Sequence, residues 1–239
     1  HMPYYVPPEG HGDWAPPWPV ADNEYGLFDM RPNAARHKVL TDRYDDAIHF
    51  IDHQLGRVID DLEARGLADE TAIILVTDHG EGWGEHGLYM HGTAHYEEMV
   101  EIPLIVHVPG EAPHRDDRLA GTIDVAPTLL DVLGLPAYAG HQGSSLLDPA
   151  PSRRWHLTLS NTSRQIATLW LDDWKYTLDM DTGEHELVNL RLDPGEHTDL
   201  SRVEVEAVAR MEGILVGTAQ RQLAAMEEFH LHGVAQLIE

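Results

Sequence analysis

One glycine- and histidine-rich stretch of the sequence concentrates side chains that could perform chemistry. Asp78 and His79 offer an oxygen and a nitrogen ligand side by side, and His86, His91 and His95 follow closely. Carboxylate oxygens combined with some imidazole suit a divalent cation. A single histidine in such a loop is more often a solvated or capping side chain. The prediction of a metal site therefore depends on the adjacent pair of Asp78 and His79.

The element that must position this pair is the apolar run that precedes it. Residues 71–77 are rich in β-branched side chains without polar alternation, which predicts a strand buried on both faces of a parallel sheet. Residues 103–108 form a second run of this kind. Open α/β sheets bind ligands at the carboxyl ends of their strands, which is where Asp78 and His79 would lie.

Helices are predicted on either side of these strands. Residues 41–66 predict a helix that begins with Thr41 as N-cap and ends at Gly66. Its apolar residues recur at spacings of four and three, as expected of one buried face; they are Tyr44, Ile48, Ile51, Leu55, Val58 and Leu62. A shorter helix is predicted over residues 124–133. This order of helices and strands indicates an α/β layered sheet.

The pattern changes after residue 150. Short β-rich runs separated by turn residues predict an antiparallel meander; they cover residues 155–159, 165–171, 174–178 and 185–190. Residues 203–229 predict a final amphipathic helix. We therefore predict two domains, residues 1–150 with the α/β layers and residues 151–239 with the small antiparallel sheet and the terminal helix.

Composition excludes several classes of function. The 239 residues include 16 basic and 41 acidic side chains, which gives a formal net charge of −25. Long-range repulsion from this charge argues against nucleic acid and against an anionic membrane as partners. The sequence contains no cysteine, which excludes disulfides, cysteine-ligated zinc and a catalytic thiol.

Several short motifs, taken in order, resemble the carboxy-terminal half of the sulfatases, a branch of the alkaline phosphatase superfamily. The motifs are Thr-Asp-His-Gly-Glu at 77–81, Gly-Glu-His-Gly at 84–87, His-Gly at 91–92, Tyr-Glu-Glu at 96–98, Ile-Pro-Leu-Ile at 102–105, Pro-Gly at 109–110, Gly-Ser-Ser-Leu-Leu at 143–147, Trp-Lys-Tyr at 174–176, Glu-Leu-Val-Asn-Leu at 186–190 and Asp-Pro-Gly-Glu at 193–196. The first four residues, His-Met-Pro-Tyr, resemble a further family segment. The resemblance implies an alkaline-phosphatase-like layered sheet followed by a small antiparallel β-sheet plus helix subdomain.

The resemblance also implies roles for particular residues. Asp78 and His79 match the family's second pair of metal ligands, and His91 falls where the family places a lysine or histidine against the sulfate ester. His1 matches the histidine that protonates the leaving-group oxygen or contacts the sulfate. The usual ion of the family is Ca²⁺, and the imidazole of His79 also suits Mn²⁺ or Zn²⁺. His86 and His95 are expected behind the site or at the surface.

The nucleophile of the family is missing from this sequence. A Cys/Ser-x-Pro-x-Arg motif does not occur, and family members place that half before the segment matched by His1. We therefore expect a metal-dependent sulfuric ester hydrolase whose N-terminal half is absent here, acting on a small-molecule or carbohydrate sulfate ester, and we expect the chain alone to be inactive. A phosphoester or phosphonate monoester hydrolase of the same superfamily stays open, as does a non-catalytic metal- or anion-binding module.

Overall fold

The computed structural model of the protein describes residues 34–138, 140–149, 155–161 and 164–218, which form two compact units. Of the described residues, the first unit comprises 34–77 together with Glu81–Met90 and Ile102–His114. The second comprises Asp78–Gly80, His91–Glu101 and the described residues from Arg115 onward. No helix in the described ranges combines the length and the apolar character needed to cross a membrane. The domain boundary predicted at residue 150 stays a prediction.

The first unit begins with the long helix α1 (Ala34–Ala64), which confirms the predicted helix. Gly66 ends it as predicted, with a positive φ of 67° that glycine adopts without strain. The Gly66 N–H donates to the carbonyl of Glu63 and the Leu67 N–H donates to that of Leu62, both at 2.9 Å. This pair of bonds is the Schellman arrangement, which satisfies carbonyls at the carboxyl end of a helix.

Two expectations about α1 were wrong. Thr41 is not the N-cap, because the helix already contains seven residues before it, and the Thr41 hydroxyl donates to the carbonyls of His37 and Lys38 instead. The apolar face is not buried throughout, since Ile48, Ile51 and Val58 are more than half exposed. Spacing therefore predicted the helix correctly, but not which of its side chains would be covered.

The two apolar strands β1 (Ile73–Val76) and β4 (Leu104–His107) pair with each other, but antiparallel rather than parallel. Ile73 lies opposite His107, and Val76 lies opposite Leu104. The residues of β1 are half-buried, and every second residue of β4 is exposed. An unbroken apolar run indicates a strand with neighbours on both faces, yet it contains no information on the direction of the strand beside it.

A short hairpin completes the first unit. Its strands β2 (Gly82–Trp83) and β3 (Tyr89–Met90) pair antiparallel. The Trp83 ring meets two rings of α1 edge-on, with centroid distances of 5.4 Å to Tyr44 and 6.1 Å to His37. Burial in this cluster, together with the charge of Glu81, raises the pKa of Tyr44.

Two short helices belong to the second unit, α2 (Glu97–Val100) and α3 (Val125–Val132). Helix α3 confirms the helix predicted over residues 124–133. Asp124 precedes it, but its carboxylate does not cap the helix; it accepts the backbone N–H groups of Gly121 and Ser144, at 3.0 and 2.8 Å. Two single turns are 3₁₀-helical, Ala68–Glu70 in the first unit and Thr122–Asp124 in the second.

The second unit is built around a four-stranded antiparallel sheet in the order β5-β6-β7-β8, which confirms the predicted meander. The strands are β5 (Trp155–Asn161), β6 (Gln165–Leu171), β7 (Trp174–Asp179) and β8 (His185–Asn189). Only two to five residues of sequence separate each strand from the next. Asp172, in the turn between β6 and β7, has a positive φ of 54°, a conformation that Asp and Asn tolerate better than most residues.

Side-chain alternation gives this sheet two differently covered faces. On one face Leu169, Tyr176 and Leu187 are fully buried against α4 (residues 205–218). The opposite face presents Thr168, Trp170 and Lys175, which are buried as well. That second face is covered not by α4 but by the stretch of chain around His95 and Glu97, which follows His91 of the predicted site.

Candidate active site

Asp78 and His79 lie two and three residues beyond the end of β1, as predicted, and both belong to the second unit. The Asp78 side chain is 89% exposed, and its Oδ2 lies 3.7 Å from His79 Nε2. His79 Nδ1 is 2.7 Å from the carbonyl oxygen of Gly80. A carbonyl can only accept, so Nδ1 carries a proton, and Nε2 is the nitrogen on the side of the carboxylate.

This geometry suits two ligands of one cation. An ion with bond lengths of about 2.0–2.6 Å can bridge an oxygen and a nitrogen that are 3.7 Å apart. The hydrogen bond from Nδ1 to a backbone carbonyl is the arrangement that commonly orients a metal-binding imidazole. In the described part of the chain, no group of three or more His, Asp or Glu side chains forms a complete ligand set. The remaining ligands of an ion bound by Asp78 and His79 would have to come from elsewhere.

His91 lies against this pair. Its ring stacks on that of His79 with a centroid distance of 3.7 Å and an interplanar angle of 23°. The chain turns sharply on both sides of His91, since Met90 and Gly92 have positive φ values of 72° and 78°. Three of the four predicted site residues are thus brought together. The fourth, His1, lies outside the described residues, and its role stays a prediction.

The backbone holds the two parts of the site together. We call residues 91–101 the histidine segment; the Gly80 N–H donates to the carbonyl of Met99 in this segment at 2.8 Å. A Cβ atom on Gly80 would lie 2.3 Å from the carbonyl oxygen of Glu98, so only glycine permits this approach. Asp78 and His79 are therefore attached directly to the segment that contains His91.

A Gly80→Ala variant is expected to be less stable by about 1–3 kcal/mol, because backbone must shift to admit the methyl group. The matched control is Gly56→Ala, at a position in α1 where a Cβ would meet nothing within 4 Å. That change should stabilise the protein by up to about 1 kcal/mol, since alanine favours a helix interior over glycine. Urea unfolding of both variants measures the two effects; equal stabilities would contradict the close approach at Gly80.

His95 has a different role from His91. It is buried, and its Nδ1 lies 2.9 Å from the hydroxyl of Thr168 in β6. Burial, together with the charge of Lys175, lowers the pKa of His95 to about 4. A neutral, buried ring of this kind attaches the histidine segment to the sheet and is not placed to exchange protons with a substrate. His86 lies in the first unit and is half-buried.

A buried ionic cluster on the same face of the sheet was not predicted from the sequence. Lys175 Nζ lies 2.9 Å from Glu97 Oε1 and 2.6 Å from Glu196 Oε1. The Trp170 Nε1–H donates to Glu97 Oε1 at 3.0 Å. The three charged residues occur in separate motifs, Tyr-Glu-Glu, Trp-Lys-Tyr and Asp-Pro-Gly-Glu, and no single motif indicates that their side chains meet. The available signal was that lysine is rare in this chain and that one of its two lysines lies in a β-rich run.

The fold of this chain is the alkaline-phosphatase-like α/β fold with a small antiparallel sheet, as predicted. A solved structure of a protein in complex with its substrate D-glucosamine-2-N,6-O-disulfate matches with a TM-score of 0.70 and 23% identity, over 86% of this chain and 45% of that one. A phosphonate monoester hydrolase of Agrobacterium radiobacter matches with a TM-score of 0.64 and 23% identity, over 82% of this chain and 43% of that one.

The chain belongs to the sulfatase family, which its residues 1–135 match. An uncharacterized sulfatase of Escherichia coli (strain K12) is 29% identical over 202 residues, which cover 81% of this chain and 38% of that protein. The chain thus spans less than half the length of these relatives. The family inferred from the order of the motifs is confirmed.

Proposed function

We propose that this chain provides one part of the active site of a metal-dependent sulfuric ester hydrolase. The observation that carries the proposal is the juxtaposition of Asp78 and His79, which follow β1, with His91, which follows β3; the two imidazoles are stacked with a centroid distance of 3.7 Å. Membership of the sulfatase family supports a common chemistry for these three residues, the binding and polarisation of a sulfate ester.

In this proposal Asp78 and His79 would hold a divalent cation. A bound cation would supply positive charge to the oxygens of the sulfate ester as negative charge develops on them. Ca²⁺ is the ion we favour, because it is usual in the family; Mn²⁺ and Zn²⁺ also accept one imidazole and one carboxylate. The exposure of the Asp78 carboxylate leaves room for ligands from other parts of the enzyme.

His91 is proposed to donate a ring N–H to a sulfate oxygen. A donor fixed in place before the reaction stabilises developing charge without the cost of reorganisation, and the loss of one such donor commonly lowers a rate by about 10²–10³-fold. The His91 ring stacks on that of His79, which favours one orientation of the ring. His1 is proposed to protonate the leaving-group oxygen or to contact the sulfate, as the resemblance implies.

The substrate is proposed to be a sulfate ester of a small molecule or a carbohydrate. A relative of the same fold was solved with a disulfated glucosamine, its substrate, which supports a sugar sulfate as one member of the class.

The nucleophile is expected in the N-terminal half of the longer enzyme. The likeness to phosphonate monoester hydrolases favours phosphonate monoester cleavage as the second candidate. A Cys/Ser-x-Pro-x-Arg motif encoded upstream would favour the sulfatase, and a threonine nucleophile would favour phosphoester chemistry.

The proposed metal site predicts that Asp78→Asn weakens cation binding. Titration of the chain with Mn²⁺, followed by paramagnetic broadening of the His79 ring signals, reports binding without any need for turnover. Loss of a group that merely supports a ligand costs about 10–100-fold in metal affinity, so loss of a direct ligand should raise the apparent dissociation constant by at least about 10-fold. Ca²⁺ should compete with Mn²⁺ for the same site.

A matched control is needed because a chain with a net charge of −25 attracts cations everywhere. Asp52-His53 provides it, since this second Asp-His pair is exposed on α1. Asp52→Asn should leave the Mn²⁺ titration of His79 unchanged at about 0.15 M salt, where distant surface charges are screened. Equal effects of Asp52→Asn and Asp78→Asn would mean that the ions bind the acidic surface in general, and the proposed site would fail.

A further inference from the structure

The buried ionic cluster lies on the face of the sheet that is turned away from α4. Trp170 of β6 and Lys175 of β7 are directly opposite each other in the strand register, so their side chains emerge together on this face. The side chains of Lys175 and Glu196 are 2% and 3% exposed. Charges that are taken out of water in this way require paired partners. The partners here come from three separate parts of the chain.

Glu97 is the member that belongs to the histidine segment. Its Oε1 accepts two hydrogen bonds, from Lys175 Nζ at 2.9 Å and from Trp170 Nε1 at 3.0 Å. Its backbone N–H donates to Glu196 Oε2 at 2.6 Å. Side chain and backbone of one residue are thus both attached to the sheet and to the turn that contains Glu196.

A second attachment lies two residues earlier in the same segment. His95 Nδ1 is 2.9 Å from the Thr168 hydroxyl, which is itself 3.1 Å from the hydroxyl of Thr177 on the neighbouring strand. His95 and Glu97 therefore fix the middle of the histidine segment on two adjacent strands. On their other face these strands are packed against α4.

The residues of the candidate active site lie on either side of these attachments. His91 precedes His95 by four residues, and Met99, whose carbonyl accepts the Gly80 N–H, follows Glu97 by two. The position of the histidine segment consequently determines both where His91 lies and where His79, next to Gly80, is held.

We infer that Lys175, Glu97 and Glu196 form a positioning device for the active site, which holds His91 against His79. None of the three touches a reacting group; they act through the histidine segment. The inference rests on the proposed function for the identity of the site, but the contact between the two histidines can be tested without it.

The decisive variant is Glu97→Ala, which removes the side-chain attachment of the segment to Lys175 and Trp170 and leaves the ion pair of Lys175 and Glu196 in place. In NMR spectra of protein with isotopically labelled histidine rings, the nuclear Overhauser effect between the His79 and His91 ring protons measures their contact. The signals of the two rings are assigned with the variants His79→Gln and His91→Gln. In Glu97→Ala we expect this contact to be lost in the folded protein. The apparent Mn²⁺ dissociation constant at His79 should rise by about 10-fold or more, as for other groups that orient metal ligands.

Two matched variants separate positioning from loss of stability. Met211→Ala truncates the core on the α4 face and should keep the contact between the histidine rings and the Mn²⁺ affinity, although it destabilises the protein. Glu97→Gln retains an oxygen that accepts from Trp170 and Lys175, and should restore both signals. If Glu97→Ala does not fold, Trp170→Phe removes one of the two donors to Glu97 and should weaken the ring contact.

Each outcome decides the inference. Retention of the His79–His91 contact in Glu97→Ala, or in Trp170→Phe where that variant is needed, would overturn it. Equal loss of the contact in Met211→Ala would overturn it too, because any destabilisation would then suffice. Absence of Mn²⁺ broadening in the unmodified chain would contradict cation binding by Asp78 and His79 without further ligands, while the ring contact would still decide whether the cluster positions the two histidines.

Discussion

Replacement of Lys175 by methionine is expected to lower the free energy of unfolding by about 3–5 kcal/mol, the usual cost of removing one partner from a buried ionic group. Lys175 Nζ is within 3 Å of a carboxylate oxygen of Glu97 and of Glu196, at 2.9 and 2.6 Å. It also lies over the Trp170 ring, 5.2 Å from the centroid. Methionine keeps an unbranched side chain of similar shape, so the loss would come from the charge and not from an empty space.

The cost should arise from two carboxylates that are left facing each other without a cation. The triple variant Lys175→Met/Glu97→Gln/Glu196→Gln removes all three charges but keeps acceptors for the N–H groups of Trp170 and of residue 97. We expect it to recover at least about half of the loss, since neutral replacement of a whole buried cluster is often tolerated. Urea unfolding with unchanged m-values measures both variants. A triple variant less stable than Lys175→Met would contradict this account.

The motifs of this sequence predicted the family and the local elements better than they predicted the packing. The spacing of apolar residues predicted α1, and Gly66 predicted its end, because a 3.6-residue period and a left-handed terminal glycine are local properties. The exposure of Ile48, Ile51 and Val58 is not local. It depends on which other parts of a protein lie beside the helix, and this chain spans less than half the length of its relatives.

The pattern of apolar residues does not predict whether two strands pair parallel or antiparallel. The apolar runs at β1 and β4 were correctly identified as strands, but their antiparallel pairing was not foreseen. Both directions can be reached through the long connection of residues 77–103, and an apolar run is the same in either direction. In β5 to β8, by contrast, short turns leave consecutive strands little choice but an antiparallel arrangement, and that prediction was confirmed.

The candidate site divides in a similar way. Asp78, His79 and His91 could be predicted as site residues because Asp and His side chains commonly bind metals and because these three occur in recognisable motifs. Lys175, Glu97 and Glu196 could not be grouped, since 78 residues separate the first two and a charged side chain in a sequence is normally solvated. Only the register of β6 and β7, which places Trp170 opposite Lys175, explains why a lysine is buried at that position.

The second large effect concerns pH. Between about pH 6.5 and pH 4 the protein is expected to lose up to about 3 kcal/mol of stability through His95 alone, from a difference in pKa of two to three units. Burial and the nearby Lys175 lower the pKa of His95 to about 4 in the folded protein, whereas in the unfolded chain it returns to 6.5. Between these values the unfolded chain binds the proton and the folded protein does not, so acidification favours unfolding.

The direction of this change in stability and the pH range over which it occurs distinguish it from the titration of other groups. The contribution is fully present above pH 6.5, declines as the pH falls, and changes no further below about pH 4, where both states are protonated. His95→Gln provides the control, because its amide can still hydrogen-bond the Thr168 hydroxyl but does not titrate. Urea unfolding at half-unit intervals of pH should give stabilities that diverge below pH 6.5, with the glutamine variant losing less. Parallel curves would mean that His95 accepts a proton within the fold, and the attachment of the histidine segment to β6 would then not require a neutral ring.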